Sequence, residues 1–503
     1  MKGYLSHSEG KINLVVVVGR RRSTRTPAPP LLSARPSGMS RRRRRAFAAL
    51  FAALCVSRVV LVCGSADDAS SRTAPADGAE SHLSSRLRDI AADVEANADY
   101  VIRLRRELHL VPELMWTEVK TSAIVKRELD AMGIAHADLS PPGVLATIGT
   151  GAPPVVLLRA DMDALPITEA SDIPPERRSA HPGRMHACGH DGHVAMLLGA
   201  ARALKSREST LSGTVHLAFQ PAEEGGAGAR RMLEERLADA RPPIDTSFAL
   251  HNWPYPETPS GVVATRPGVI MAGSAAFEIV VVGVGGHAAK PAELVDVVAC
   301  VAAIVTASQT IISRRVDPLD GALVTITAVD AGDVRAENVA ADRARMLGQL
   351  HATRESTMAS ARRALATTTS AAAAAHGCEA TVDFAPVTNG ARREAYPPTV
   401  NDPRAAALAA EVAATMFGAE SGAEAATVMP AEDFAFFAGE WPSAMAWIGA
   451  YDESKGAVWP LHSAKYVLDE STLARGAAMH AGYAVAFLAG GGFETSETHD
   501  DAR

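Results

Sequence analysis

The stretch Met185-His186-Ala187-Cys188-Gly189-His190-Asp191-Gly192-His193 packs three imidazoles, one thiol and one carboxylate into nine residues. Thiolate and imidazole are the ligands that borderline divalent cations prefer, and a carboxylate can join them. Pro182 and Gly183 precede the stretch, and an apolar helical run, 194–204, follows it. It therefore reads as a loop feeding a helix, where a rigid scaffold can present ligands. Taken alone it also reads as loop histidines beside a buried free cysteine, so the flanking segments must decide.

Upstream, residues 155–159 form a continuous apolar run bounded by Pro154, the pattern of a buried strand. That strand ends in Asp161-Met162-Asp163, and open α/β sheets place their sites at the carboxyl ends of strands. Downstream, a strand at 214–219 ends in Gln220-Pro221-Ala222-Glu223-Glu224, and a strand at 246–250 ends in His251. Each has a bland reading: a loop-capping Asp pair, a solvated Glu pair at a helix N-terminus, a structural histidine. Taken together, successive βα units bring acids, imidazoles and a thiol to one edge, which predicts a metal site. His462, on a late loop, becomes a candidate ligand only because the others exist.

From residue 275 the pattern changes to β-α-β-β-α-β, the split ferredoxin-like unit. Its strands fall near 275–284, 322–329, 338–350 and 379–385, and its helices near 292–314 and 355–375. The α/β pattern resumes at Tyr396. The expected class is α/β, with a central mixed sheet flanked by helices and an inserted α+β domain. The boundaries are 1–84 for a leader and linker, 85–270 for the first part of the main domain and 271–386 for the insert. The second part of the main domain is then 387–490, and 491–503 is a disordered tail.

A chain of 503 residues with 47% hydrophobic content has ample length for a buried core. The net charge of -7 hides an asymmetry. Residues 1–45 carry about 12 Lys/Arg against one acid, leaving roughly -18 on the rest. An acidic body argues against nucleic acid as partner. Arg41 to Arg45, an apolar run broken by Arg58, and Cys63-Gly64-Ser65-Ala66 have the layout of a signal peptide over 39–66. This predicts the secretory pathway, in the endoplasmic reticulum lumen or outside the cell; an organellar transit peptide, such as a plastid one, is the alternative. The broken run is a poor membrane span, so no stable membrane association is expected after processing. Cys300 and Cys378 can pair or remain buried thiols; two cysteines give no spacing signal.

The ordered motifs LHLVPEL, RADMDALP, MHACGHDGH, QPAEEGGAGA, GGHAAKP, YPPTVND, AEDFAFF and LHSAKY resemble the metal-dependent amidohydrolase branch of the aminoacylase/carboxypeptidase superfamily. Plant-type auxin (IAA)-amino acid conjugate hydrolases and bacterial hippurate hydrolases are the nearest in kind. The resemblance implies hydrolysis of an N-acyl amino acid at a site of two divalent ions per subunit, manganese ahead of zinc or cobalt. It implies Cys188, His190, Glu224, His251 and His462 as ligands, with Cys188 between the ions. Glu223 would be the general base and acid, and Asp163 would orient a ligand. His287, on the insert, would reach the neighbouring subunit's site in a homodimer, and the insert would act as lid and dimerisation domain. Such a site suits the reaction, because a bound cation lowers the pKa of water towards about 7. A deacetylase or dipeptidase, or a non-catalytic metal-binding paralogue, is the competing expectation.

The chain departs from the resemblance in the insert. Ala292 follows Pro291 where relatives carry His. Asn338-Val339-Ala340-Ala341-Asp342 lacks the proline that relatives have, and His351 stands where they carry an arginine that grips the substrate carboxylate.

Overall fold

Four parallel strands, Thr214–Gln220, Val155–Asp161, Thr246–Trp253 and Ser443–Gly449, lie side by side in that order within an eight-stranded sheet. The computed structural model describes residues 77–173, 178–388 and 391–493. The leader and signal-peptide readings lie outside these residues, as does the tail reading from residue 494. Antiparallel Val144–Gly149 and Ala135–Asp138 extend one side of the sheet. Val263–Thr265 and Ala423–Glu424 extend the other, so the sheet is mixed.

The central strands are apolar throughout because both faces are covered. Side chains alternate along a strand, so Val156 and Leu158 point into one core and Val155 and Leu157 into the other. The first core is closed by helices His190–Lys205 and Leu473–Ala489, the second by Met232, Phe434 and Phe437. The parallel strands all end at one edge. Asp161 pairs in register with Gln220, and His251 with Trp447, which sets the strand-end residues beside one another.

The expected linker is corrected over residues 77–84. A helix runs Asp77–Glu95 and a second, Ala98–His109, follows after a break at Asn97. The Ala/Ser/Asp composition suggested a linker, but Leu83, Leu87, Ile90 and Val94 recur at helical spacing and pack into the first core.

In the insert, strands Ala322–Ala331, Arg343–Ala352, Gly273–Val282 and Glu379–Asp383 form an antiparallel sheet in that order, the ferredoxin-like arrangement. The helix expected at 292–314 is shorter and broken. It begins at Val297, where the Asp296 side chain accepts hydrogen bonds from Val298 N and Ala299 N. Cys300 on that helix is disulfide-bonded to Cys378 beside the last strand. Among the described residues no helix is long and apolar enough to cross a membrane.

A buried guanidinium binds the sheet edge together. Arg159 is 1% exposed. Its Nη1 lies 2.7 Å from Asp161, and its Nη2 lies 2.9 Å from both Glu432 and Asp433. Its Nε donates to Gln220 Oε1 at 2.8 Å. Replacing Arg159 by Met leaves these carboxylates buried without their cation. The expected loss of unfolding free energy is about 3–5 kcal/mol, read from the urea midpoint; an unchanged midpoint would contradict this role.

Candidate metal centre

The loop after Met185 turns into its helix at Gly189, which adopts φ +85°. A side chain there would also collide with Asn252, so glycine is required twice over. The tight turn sets Cys188 and His190 on the same side of the strand ends. Asn252 secures it, its Nδ2 donating to Cys188 O at 2.7 Å and its backbone N to His193 Nε2 at 3.0 Å. The Tyr466 hydroxyl donates to Asn252 Oδ1.

The structure brings all five of the expected ligands together. Ligand atoms of Cys188, His190 and His251 lie within 4.8 Å of one another, and so do those of Cys188, Glu224 and His462. Cys188 is common to both groups, as a shared ligand between two ions would be. Its Sγ is 3.5 Å from His251 Nε2. His462 Nε2 is 3.2 Å from Glu224 Oε1, and His190 Nε2 is 4.0 Å from the same oxygen. His251 Nδ1 donates to Asn252 O at 2.7 Å, which leaves the Nε2 lone pair facing the sulfur.

Asp163 sits under the acid pair. Its Oδ1 accepts from Glu223 N at 3.0 Å and its Oδ2 from Glu224 N at 2.9 Å. Its Oδ1 is also 3.4 Å from His190 Nδ1. One carboxylate thereby fixes both glutamates and faces an imidazole. Glu224 turns towards His462 while Glu223 Oε1 lies 3.4 Å from Asp433 N. The Tyr396 hydroxyl donates to Glu223 O at 2.7 Å.

His287 is not brought to this group. It is exposed, pairs with Val339 on a short outer ladder, and accepts from Ala289 N through Nδ1 at 3.1 Å. Of the other imidazoles in the opening stretch, His193 is engaged elsewhere, while His186 is buried with neither ring nitrogen hydrogen-bonded among the described residues. His193 donates to Asp161 through Nδ1 at 2.6 Å and accepts from Asn252, so both its ring nitrogens are used. His186 lies against His109, ring centroids 6.3 Å apart. Sequence reasoning missed Asn252, Tyr396 and the Arg159 cluster. AEDFAFF marked Glu432 and Asp433 as a motif without showing what they meet.

The donor set fits divalent cations. His190 is fully buried, and neither ring nitrogen has a hydrogen-bond partner among the described residues. Burial, then the acids Glu432, Glu224, Asp433 and Asp163, push the Glu223 pKa well above the usual carboxylate range. Burial and the Glu224 carboxylate push the Cys188 thiol up. Burial pushes His251 well below the ordinary imidazole range, so it is neutral. Burial opposes charge on Glu224, yet His462 and His190 hold its pKa down. Burial opposes charge on His190, yet Asp161, Asp163 and Glu224 push its pKa up to about 10, and Glu224 raises His462 against its burial in the same way. The crowded acids thus draw protons onto these imidazoles, and bound cations would take over that positive charge.

Two cavities open on the group. One, of about 230 Å³, is lined by Cys188 and His251 together with Trp253, Tyr255, Met271 and Leu461. The other, of about 540 Å³, runs towards the insert past Ser274, Gln349, His351 and Arg393. Glu223, Glu224 and His462 line both.

Residues 157–486 match the family model described as peptidase family M20/M25/M40. The chain is 41% identical to IAA-amino acid hydrolase ILR1-like 2 of Arabidopsis thaliana, covering 81% of this chain and 89% of the relative. It is 34% identical to N-acetylcysteine deacetylase of Bacillus subtilis, over 74% and 93% of the two chains. The crystal structure of Bacillus subtilis YXEP, described as a dinuclear metal binding peptidase from the M20 family, is similar with a TM-score of 0.62 and 31% identity. That likeness covers 78% of this chain and 99% of the solved one. The site and these likenesses agree: the chain belongs to peptidase family M20/M25/M40, as a metal-dependent amidohydrolase.

Proposed function

We propose that the protein hydrolyses the amide bond of N-acyl amino acids carrying a bulky apolar acyl group, such as auxin-amino acid or hippurate-like conjugates. The observation that carries this reading is the division of Glu223 from Glu224 by Asp163, beside an apolar cavity. Cys188, His190, Glu224, His251 and His462 would hold two divalent ions, manganese first, with zinc or cobalt as substitutes. Bound there, the ions would acidify a water and polarise the substrate carbonyl. Glu223 takes the proton of the attacking water on its carboxylate and passes it to the leaving amide nitrogen. The C–N bond breaks as the new C–O bond forms, releasing a carboxylic acid and an amino acid. Trp253, stacked on Trp447 at 4.4 Å between centroids, gives the acyl cavity a rigid aromatic wall.

The second reading, a deacetylase, is favoured by likeness to the Bacillus subtilis enzyme and disfavoured by that wall. With added manganese, aryl-acyl amino acids should turn over faster than their N-acetyl counterparts; the reverse order would select the deacetylase. Glu223→Gln should keep its metal by elemental analysis while kcat falls about 10²–10⁴-fold. Undiminished turnover would remove Glu223 from the proton-transfer role.

The homodimer remains part of this proposal. The insert's strand Ala322–Ala331 is a sheet edge, and Val282, Val284, Val298 and Val329 are exposed on the insert. His287, remote from its own site, would act in the partner subunit's. Sedimentation at micromolar concentration should give twice the chain mass; a monomer with full activity would contradict it.

We also propose maturation in an oxidising compartment after removal of the leader. The Cys300–Cys378 disulfide supports this, since such bonds persist in secretory and extracellular settings. Chain purified from its native compartment and alkylated while denatured should gain one adduct, on Cys188, without reductant and three with it. Three without reductant would contradict the proposal.

A further inference from the structure

Glu223 follows a turn that is unfavourable for its own sequence. Ala222 adopts φ +57°, in the left-handed region that residues with a Cβ avoid. Ala222 is also fully buried, so its N–H needs an acceptor inside the protein. Glu118 supplies it: its Oε1 accepts from Ala222 N at 2.7 Å. The next two N–H groups along the turn, those of Glu223 and Glu224, donate to Asp163. The conformation at Ala222 therefore sets whether both can reach that carboxylate.

The Glu118 carboxyl has no part in its own helix. Glu118 precedes helix Val119–Ala131, but its side chain makes no capping bond there. Glu113 caps that helix instead, its Oε2 accepting from Lys120 N at 2.8 Å and Thr121 N at 3.0 Å. Glu118 is fully buried, and its Oε2 has no hydrogen-bond partner among the described residues. Burial, then the Asp163 carboxylate, raise its pKa, which favours the neutral acid. The same segment grips the acid turn at two further points. Glu113 O accepts from Ala164 N, next to Asp163, at 2.8 Å. The Trp116 indole packs where a side chain on Gly226 would stand.

We infer that Glu118 is a positioning residue for the reaction: it holds the Ala222 turn that delivers the Glu223 carboxyl to the attacking water. It lines neither cavity, so it acts through Glu223 and not on the substrate. Cys188, His190, His251 and His462 come from other elements, so the metal ions stay when the turn loosens. The inference rests on the amide-hydrolase reading above.

Two variants of metal-loaded enzyme, alone and combined with Glu223→Gln, test it. Glu118→Met fills the space and removes the acceptor, whereas Glu118→Gln keeps an acceptor on a neutral side chain. Glu118→Met should lower kcat about tenfold to a hundredfold, with KM within about twofold of the parent enzyme's and metal content unchanged. Glu118→Gln should keep kcat within about threefold of the parent value. In the Glu223→Gln background, Glu118→Met should lower the residual rate by less than about twofold, because the carboxyl it positions is already gone. A merely structural role would lower both backgrounds by the same factor. That result, or an unchanged kcat in Glu118→Met, or a Glu118→Gln as slow as Glu118→Met, would overturn the assignment. Should Glu118→Met fail to fold, Glu118→Asp, one methylene short of Ala222 N, takes its place with the same expectations. If the unaltered enzyme hydrolyses no N-acyl amino acid, the amide-hydrolase reading fails instead.

Discussion

The structure is governed by negative charge held out of water at the carboxyl edge of a parallel sheet. Asp161, Asp163, Glu223, Glu432 and Asp433 are all buried there, with the Cys188 thiol beside them. Isolated carboxylates are too costly to bury, so each must be paired, protonated or bound to a cation. Arg159 answers for Asp161, Glu432 and Asp433 on the inner side. On the cavity side Glu224 meets His462 at 3.2 Å, and His190 keeps both ring nitrogens without hydrogen-bond partners among the described residues. The centre is thus layered: a guanidinium below, acids and imidazoles in the middle, and open space above where divalent ions and substrate fit.

Much of this was legible in the sequence because strand ends can be read locally. An apolar run that stops at an acid or a histidine, repeated at 155–163, 214–224 and 246–251, implies one edge carrying all of them. The insert was legible for the same reason: strand and helix periods differ, and their order names the arrangement. Pairing across the chain was not legible. Arg159 meets Glu432 over a separation of 273 residues, and only the folded sheet joins them. Nor could the opening stretch show that His193 spends both nitrogens on Asp161 and Asn252 while His190 spends neither. Over 77–84 the small and polar residues mask a helix whose signal lies in the spaced apolar residues Leu83, Leu87, Ile90 and Val94.

The departures in the insert take on meaning in this setting. His351 donates through Nδ1 to Met429 O at 2.8 Å and so ties the insert to the main domain. The acids, thiol and imidazoles sit at the strand ends, while His351 belongs to the wall of the larger cavity. One fold can serve several small amides when the reacting centre and the walls around it are built from different elements.

The central claim is that Cys188, His190, Glu224, His251 and His462 enclose two divalent ions. Anomalous diffraction from crystals grown with manganese tests it most directly. The account predicts two peaks at this group, with the Cys188 sulfur between them. Peaks elsewhere only, or none near Cys188 in crystals of active enzyme, would contradict it.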